Sequence, residues 1–179
     1  VGSTGDDSNQ NTITNGTGSS SDNSLANSGA VFVYTRSGTD WSQQAYIKPS
    51  NAAEYGGFGS SVSLQGDLLV VGTDEDSNAT TITNGSTASS DTSSENSGAV
   101  YVFKRIGTSW SQIAYIKAVN ADAQDSFGSG GSGVAIDNST IVVGSRGEAS
   151  NQLGITNGNT ASSDNSNSSN GAVYVYRLY

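Results

Sequence analysis

Cysteine and histidine are both absent from the 179 residues of this chain. Without cysteine there are no disulfide bonds, no thiolate chemistry and no cysteine-based zinc sites. Without histidine the chain lacks the usual general base of enzymes and the commonest transition-metal ligand. Glycoside hydrolysis by a pair of carboxylates is still chemically available. It requires one protonated and one ionised acid, and nothing in the sequence pattern distinguishes two such residues. We therefore predict that the protein is not an enzyme.

Basic residues are also scarce. Seven Lys and Arg face 16 Asp and Glu, which gives a formal net charge of −9 and a pI near 4.1. Nucleic-acid binding needs clustered basic residues, so a nucleic-acid partner is not expected. No apolar run approaches the roughly 20 residues of a membrane-spanning helix, and the acidity disfavours an anionic membrane surface. With its Ser, Thr and Asn richness, the chain is predicted to be secreted or at the cell surface, with no direct membrane insertion.

The remaining composition favours strands over helices. Hydrophobic residues make up 33% of the chain and charged residues 13%, while glycine alone accounts for 23 residues. Straight-chain helix formers are few, whereas β-branched residues and turn formers are plentiful. This balance predicts an all-β protein with short strands and long polar loops.

An internal repeat organises the sequence. The block at residues 28–34 returns at 97–103 and again at 170–176, after 69 and 73 residues. In the same phase, residues 41–48 match residues 110–117, both reading Trp-Ser-Gln-x-Ala-Tyr-Ile-Lys. Several blocks in one register make a chance resemblance improbable, and such periodicity is the signature of a repeat architecture.

Each full unit reads as four short strands, here at 58–64, 68–71, 99–103 and 110–116. The second is an unbroken apolar run, which predicts a strand whose two faces are both covered. Four antiparallel strands per repeat are typical of a β-propeller blade, whereas the competing solenoid coil usually has a repeat of about 20 to 45 residues. We predict an all-β, β-propeller segment of about two to three four-stranded antiparallel blades, with incomplete terminal blades and long loops on one face. Further blades from the same parent chain or another chain are expected. The units are a partial blade at 1–48, a complete blade at 49–117 and a partial blade at 118–179 of one repeat array.

Two short motifs carry a family resemblance. Phe58-Gly59 precedes Val70-Val71-Gly72, and Phe127-Gly128 precedes Val142-Val143-Gly144. This pattern resembles FG-GAP repeats, the units of integrin alpha-chain propellers and of many bacterial surface proteins. The resemblance implies a propeller with a role in adhesion and ligand display. Integrin-type blades hold calcium in an Asp-rich loop between their first two strands, but that connection is here only residues 65–67, so the family's calcium site is not carried over.

The connection between the second and third strands is unusually long, at residues 73–97 in the complete unit. All three copies contain Ile-Thr-Asn-Gly followed by Ser-Ser-Asp, and loops of this length are commonly functional. The candidate ligand-binding residues in these loops are Asn15, Asp22, Asn84, Asp91, Asn157 and Asp164. In the alternative interpretation these residues have a structural role. Ile82 and its equivalents anchor the loop to the blade, and Asp91 and its equivalents accept backbone hydrogen bonds.

Acidic residues concentrate in the same part of the repeat. Strand alternation places the long loops on the same face as the connections between units, and every acidic residue except Asp40, Asp67 and Asp137 falls in one of these two loop types. An acidic face attracts cations or basic partners. The densest carboxylates, which are candidates for a calcium site or else a solvated charge run, are Asp6, Asp7, Asp74, Glu75 and Asp76.

These observations predict a non-catalytic extracellular repeat module for adhesion or ligand binding, with a protein or glycan as its partner and the acidic long-loop face as its contact surface. Two alternatives stay open. One is a structural component of an extracellular assembly or filament, and the other is a calcium-stabilised surface module.

Overall fold

The computed structural model of the protein describes residues 1–130 and 133–179. In this part of the chain every regular element is a strand and no residue is helical. The strands are Gly2–Ser3 (β1), Ile13–Asn15 (β2), Ala30–Ser37 (β3), Asp40–Ile47 (β4), Ser61–Gln65 (β5), Leu68–Thr73 (β6), Ile82–Asn84 (β7), Ala99–Ile106 (β8), Ser109–Ile116 (β9), Val134–Asp137 (β10), Thr140–Ser145 (β11) and Ala172–Arg177 (β12).

The strands form three antiparallel sheets. Sheet 1 has the order β1-β3-β4-β2, sheet 2 the order β5-β6-β8-β9-β7, and sheet 3 the order β10-β11-β12. In sheet 2 the four strands predicted for a complete unit lie side by side in sequence order. The all-β class is confirmed, and the sheets are consistent with segments of β-propeller blades.

The first strand of the complete unit begins later than the sequence predicted. We expected a strand at 58–64, but β5 starts at Ser61. Phe58 instead forms a parallel bridge with Gly29 of the preceding unit, and its backbone N–H donates to the Ser28 carbonyl at 3.1 Å. Phe58 therefore ties two neighbouring units together instead of extending its own sheet.

The hydrophobic core lies between the sheets. One cluster joins sheet 1 to sheet 2, and a second joins sheet 2 to sheet 3. Leu69, Val70 and Val71 of β6 are all buried, at 3%, 0% and 0% exposure, although successive side chains of a strand point to opposite faces. Strand β6 is a continuous apolar run because both faces of sheet 2 are covered by a neighbour, as the sequence predicted.

The Phe-Gly motif sits at these junctions between units. The ring of Phe58 is fully buried and packs edge-on against Tyr101 at 5.4 Å between centroids. Phe127 repeats this packing against Tyr174 of sheet 3 at 5.2 Å. Gly72, at the end of the Val-Val-Gly motif, allows close approach of the next unit, since a Cβ there would lie 1.7 Å from the carbonyl oxygen of Gly128.

Candidate functional site

In each unit one long loop connects the second and third strands. We call these loops loop 1 (residues 4–29), loop 2 (74–98) and loop 3 (146–171). Sequence reasoning treated such a connection as lacking secondary structure. That expectation was wrong for two of the loops, because β2 lies within loop 1 and β7 within loop 2.

Strand β7 runs along the outer edge of sheet 2. Its residues Ile82 and Asn84 pair with Ile116 and Ala114 of β9, and the N–H of the following Gly85 donates to the Ile113 carbonyl at 2.7 Å. The backbone ladder provides this anchor, since the Ile82 side chain stays 50% exposed. Strand β2 pairs with β4 in the same register in sheet 1. The loops therefore cover sheet edges that would otherwise be free to pair with other chains.

Loop 3 does not form the equivalent strand. Ile155 is 93% exposed, and residues 155–157 have no regular structure. Among the described residues, sheet 3 contains no strand in the position that β9 occupies in sheet 2. The Ile-Thr-Asn sequence thus becomes a strand only where a neighbouring edge is present to accept its hydrogen bonds.

A carboxylate organises the tip of each long loop. Asp22 accepts hydrogen bonds through Oδ1 from the backbone N–H of Asn9 at 3.0 Å and from the N–H and hydroxyl of Ser24. Asp91 and Asp164 make the same contacts with their own repeat partners. These hydrogen bonds stabilise the ionised form and lower the pKa of all three carboxyls. Three of the six candidate ligand residues, Asp22, Asp91 and Asp164, therefore stabilise the conformation of their own loops.

Asn15 links loop 1 to the next unit. Its side-chain oxygen accepts the backbone N–H of Trp110 at 2.8 Å, while the Trp110 indole donates to Gln44 of sheet 1 at 3.0 Å. Trp110 is consequently 3% exposed, whereas the repeat-equivalent Trp41 is 66% exposed. Loop 1 is therefore part of the contact between sheets 1 and 2.

The base of loop 2 contains a buried charged network. The Lys117 ammonium donates to Glu75 Oε2 at 3.2 Å and to Ser97 Oγ at 2.7 Å, and the Tyr115 hydroxyl donates to Glu75 Oε1 at 2.8 Å. Burial raises the pKa of Glu75 and lowers the pKa of Lys117, because a low-dielectric environment disfavours both charged forms. The hydrogen bonds and the opposite charge offset that cost.

Loop 1 repeats this network, with Asp6 in the place of Glu75. Lys48 donates to Asp6 Oδ1 at 3.1 Å and to Ser28 Oγ at 2.7 Å, and the Tyr46 hydroxyl donates to the same carboxylate oxygen at 2.9 Å. In loop 3 the equivalent carboxylate is Glu148. The first two networks join the start of a loop to the end of the fourth strand of its sheet.

An asparagine in each connection between units binds the carboxylate at the base of the long loop that follows it. The Asn51 amide donates to Glu75 at 3.3 Å and to the Ser89 carbonyl, and its oxygen accepts the Tyr101 hydroxyl. Asn120 makes the corresponding contacts within the third unit. Sequence reasoning missed the asparagines and the lysines. The signal was nevertheless present, because Lys48 and Lys117 close the matched blocks in identical phase.

The five carboxylates considered for calcium have different surroundings. Asp6 and Glu75 lie in the lysine networks, and Asp7 and Asp76 accept the backbone N–H groups of Asn27 and Asn96, each at 2.7 Å. Asp74, the fifth, has its backbone N–H bonded to Gly56. Within residues 1–130 and 133–179, no group of three acidic side chains is arranged to hold a metal ion. Calcium binding stays a prediction.

The connections between units contact the long loops. In the connection from sheet 1 to sheet 2, Tyr55 N–H donates to Ala26 of loop 1 at 2.8 Å, and the Gly56 carbonyl accepts from Asp74 of loop 2 at 2.9 Å. Hydrogen bonds thus join this connection to both long loops beside it. The exposed groups of the long loops and the connections include many hydroxyls, amides and carboxylates, together with the apolar side chains of Tyr55, Leu153 and Ile155.

Comparison with known proteins bears on the family. The sequence model described as FG-GAP repeat matches residues 41–103, which include the Phe58-Gly59 motif. No curated protein and no solved structure matches the chain. FG-GAP repeats are generally non-catalytic and typically occur in extracellular or surface proteins. No helix that could cross a membrane is found in the described part of the chain. Residues 41–103 of this chain therefore match the FG-GAP repeat family, which the Phe-Gly motif predicted.

Proposed function

We propose that this chain is a non-catalytic extracellular module that binds its partner through the surface of the three long loops. The observation that carries the proposal is the shared internal frame of these loops. Asp22, Asp91 and Asp164 close the same turn in each loop, and the neighbouring segments project exposed side chains. A loop held in one conformation before binding loses less conformational entropy when a ligand arrives.

The side chains of the loops define the chemistry of the partner. None of the three loops contains an aromatic residue, while Ser, Thr, Asn and Asp are abundant. Binding would therefore rely on hydrogen bonds and charge and not on stacking. Two partners fit this surface, namely a glycan rich in hydroxyl groups and a basic protein surface. Attraction to a basic partner weakens as salt screens the charges, whereas hydrogen bonding to a neutral glycan is much less sensitive to salt.

The test uses two triple variants with the same change in net charge. The loop variant carries Asp22→Ala, Asp91→Ala and Asp164→Ala, and the control variant carries Asp40→Ala, Asp67→Ala and Asp137→Ala outside the loops. Labelled protein is applied to an array of neutral and acidic glycans and to a polylysine surface, each at low and high salt. We expect the loop variant to bind at least tenfold more weakly than the control variant on one of the two probes.

Salt separates the two partners. Loss of binding between low and high salt would indicate the basic surface, and persistence at high salt would indicate the glycan. The proposal fails if neither probe binds the unmodified protein, or if the two variants lose binding equally, because net charge alone would then explain the effect.

A structural role in an extracellular assembly is the second candidate function. It is favoured by the open face of sheet 3, where Val173 and Val175 are 69% and 65% exposed. Exposed apolar side chains on an edge strand are typical of a surface that another chain covers. Sedimentation analysis at rising protein concentration tests this role. We expect the chain to associate with itself, and we expect substitution of both valines by lysine to abolish that association. A monomer at all concentrations would contradict it.

A further inference from the structure

Sheet 3 exposes surfaces that the equivalent strands of sheet 2 keep covered. Val173 and Val175 of β12 are 69% and 65% exposed, while the repeat-equivalent Val100 and Val102 of β8 are both 0% exposed. The difference does not come from the strands themselves, whose sequences match closely. It comes from what packs on them.

One continuous segment covers β8 in sheet 2, and we call residues 109–128 the covering segment. Its strand β9 pairs with the edge of β8 over its whole length. The chain then continues through Lys117 to Phe127, whose ring belongs to the same core cluster as Val100 and Val102. The Phe127 N–H also donates to the Ser97 carbonyl at 3.0 Å. A single stretch of chain thus covers an edge of sheet 2 and contributes Phe127 to the cover of its face, which Ile141 and Val143 of sheet 3 complete.

The glycines show where the Phe-Gly end of such a segment fits. A Cβ at Gly98 would lie 2.4 Å from the backbone of Phe127, and one at the equivalent Gly29 would lie 2.3 Å from Phe58. At Gly171, the third equivalent, the nearest atom is the Ser145 carbonyl oxygen at 3.5 Å. Gly171 instead lines an open surface pocket together with residues 144–146 and 172–173. The pocket lies where Phe-Gly docks in the other two units.

Glu148 marks the position that faces a lysine in the other two units. Its equivalents Asp6 and Glu75 pair with Lys48 and Lys117. Glu148 is only 4% exposed, and its observed hydrogen-bond partners, Asn120 and Ser150, are uncharged. A buried carboxylate without a counter-charge is costly, so a lysine arriving at this point would be strongly favoured.

We propose that sheet 3 is a docking site for a segment with the pattern of the covering segment, as carried by a further repeat of this type. The strand portion pairs with β12, its terminal lysine binds Glu148, and its Phe-Gly enters the pocket at Gly171. Residues 155–157 then pair with the outer edge of the docked strand, as β7 does with β9. The proposal is independent of any ligand of the long loops.

The experiment supplies the covering segment in trans. A synthetic peptide of residues 109–128 is added to the full chain, and binding is followed by fluorescence anisotropy of a label on the peptide. We expect saturable binding. Hydrogen exchange should show new protection of the amides at 155–157 and 172–177. A scrambled peptide of the same composition should not bind.

The lysine contact is tested from both sides. A peptide with Lys117→Met should bind the unmodified chain at least tenfold more weakly. The same peptide should lose much less affinity for a chain with Glu148→Gln, because that substitution removes the buried charge. Circular dichroism of the Glu148→Gln chain checks that its sheets are intact.

Three results would overturn the proposal. The first is absence of saturable binding. The second is protection of other amides, including exchange of the peptide with the chain's own residues 109–128 at β8. The third is equal binding of the Lys117→Met peptide and the unmodified peptide. Association of the chain with itself that protects β12 without peptide would also overturn it, since the occupant would then be a second copy.

Discussion

Lys117 and Glu75 form an ion pair at 3.2 Å in which the lysine side chain is 0% and the glutamate side chain 7% exposed. Removing one partner of such a pair leaves an uncompensated buried charge, at a cost of about 3–5 kcal/mol. We therefore expect Lys117→Met to lower the free energy of unfolding by about that amount. The measurement is urea denaturation followed by tryptophan fluorescence.

The matched variant combines Lys117→Met with Glu75→Gln. The glutamine still accepts the Tyr115 hydroxyl but carries no charge, so the double variant should be more stable than Lys117→Met alone. A double variant as unstable as the single one would show that lost packing, and not the unpaired carboxylate, causes the effect.

The contact between Asn15 and Trp110 gives a second prediction. Asn15→Ala leaves the Trp110 N–H without its acceptor, and we expect a loss of about 1 kcal/mol in the free energy of unfolding. Hydrogen exchange should also accelerate at the Trp110 amide. Asn84→Ala is the matched control, because Asn84 holds the same place in loop 2 and its side chain makes no hydrogen bond within the described residues. Equal effects of the two substitutions would contradict the role of Asn15 between units.

Glycine at the unit junctions gives a third prediction. Gly98 and Gly171 both have positive φ, at 81° and 76°, so alanine introduces similar backbone strain at either position. Only at Gly98 would the new Cβ meet a neighbouring unit, at 2.4 Å from the Phe127 backbone. Gly98→Ala should therefore lower the melting temperature far more than Gly171→Ala. Similar melting temperatures for the two variants would argue against close packing at this junction.

The raised pKa of Asp125 leads us to predict how the free energy of unfolding depends on pH. Burial raises the pKa of this carboxyl to about 6, from an ordinary value of 3.8. A group whose pKa is raised in the folded state favours folding at low pH, and this contribution is lost as the pH rises through about 6. Lowering the pH from about 7.5 to about 5 should therefore add about 1 kcal/mol to the stability of the unmodified protein relative to Asp125→Asn.

The measurement for Asp125 is the difference in unfolding free energy between the two proteins at several pH values. Other acidic groups contribute to both proteins alike and cancel in that difference. A difference that stays constant with pH would contradict the raised pKa.

Calcium provides a fifth prediction. Four of the five candidate carboxylates, Asp6, Asp7, Glu75 and Asp76, already accept hydrogen bonds from lysine or backbone groups. A metal ion would have to displace these partners before it could bind. We expect the same melting temperature in millimolar calcium and in chelator. A clear rise with calcium would support the calcium-stabilised alternative, since a ligand of the folded state raises its stability.

Sequence reasoning was successful where the information is local or repeated. The alternation of short apolar runs with glycine turns predicted strands, and the repeat predicted that four of them lie side by side. The unbroken apolar run at residues 68–71 predicted a strand buried on both faces, and residues 69–71 are buried. The matching phase of Phe58-Gly59 and Phe127-Gly128 predicted the repeat family.

Two features of the candidate site escaped prediction because they depend on distant partners. Ile-Thr-Asn occurs three times, yet it forms a strand only at β2 and β7, where β4 or β9 offers an edge. Likewise, Asp6 and Glu75 read as part of an acidic run, but lysines 42 residues away make them members of buried networks. Neither outcome is visible in the local sequence.

The sequence by itself thus determined the strands, their order within a unit and the repetition of the units, because each follows from short-range apolar patterning and turn residues. Only the tertiary structure decided how the units meet. The packing of Phe58 and Phe127 between neighbouring sheets, the Asn15 contact with Trp110 and the pairing of Lys117 with Glu75 all arise when distant segments exclude water together. In that dry environment an unpaired charge or polar group is costly, so the partners available in space, and not the neighbours in sequence, determine what each side chain does.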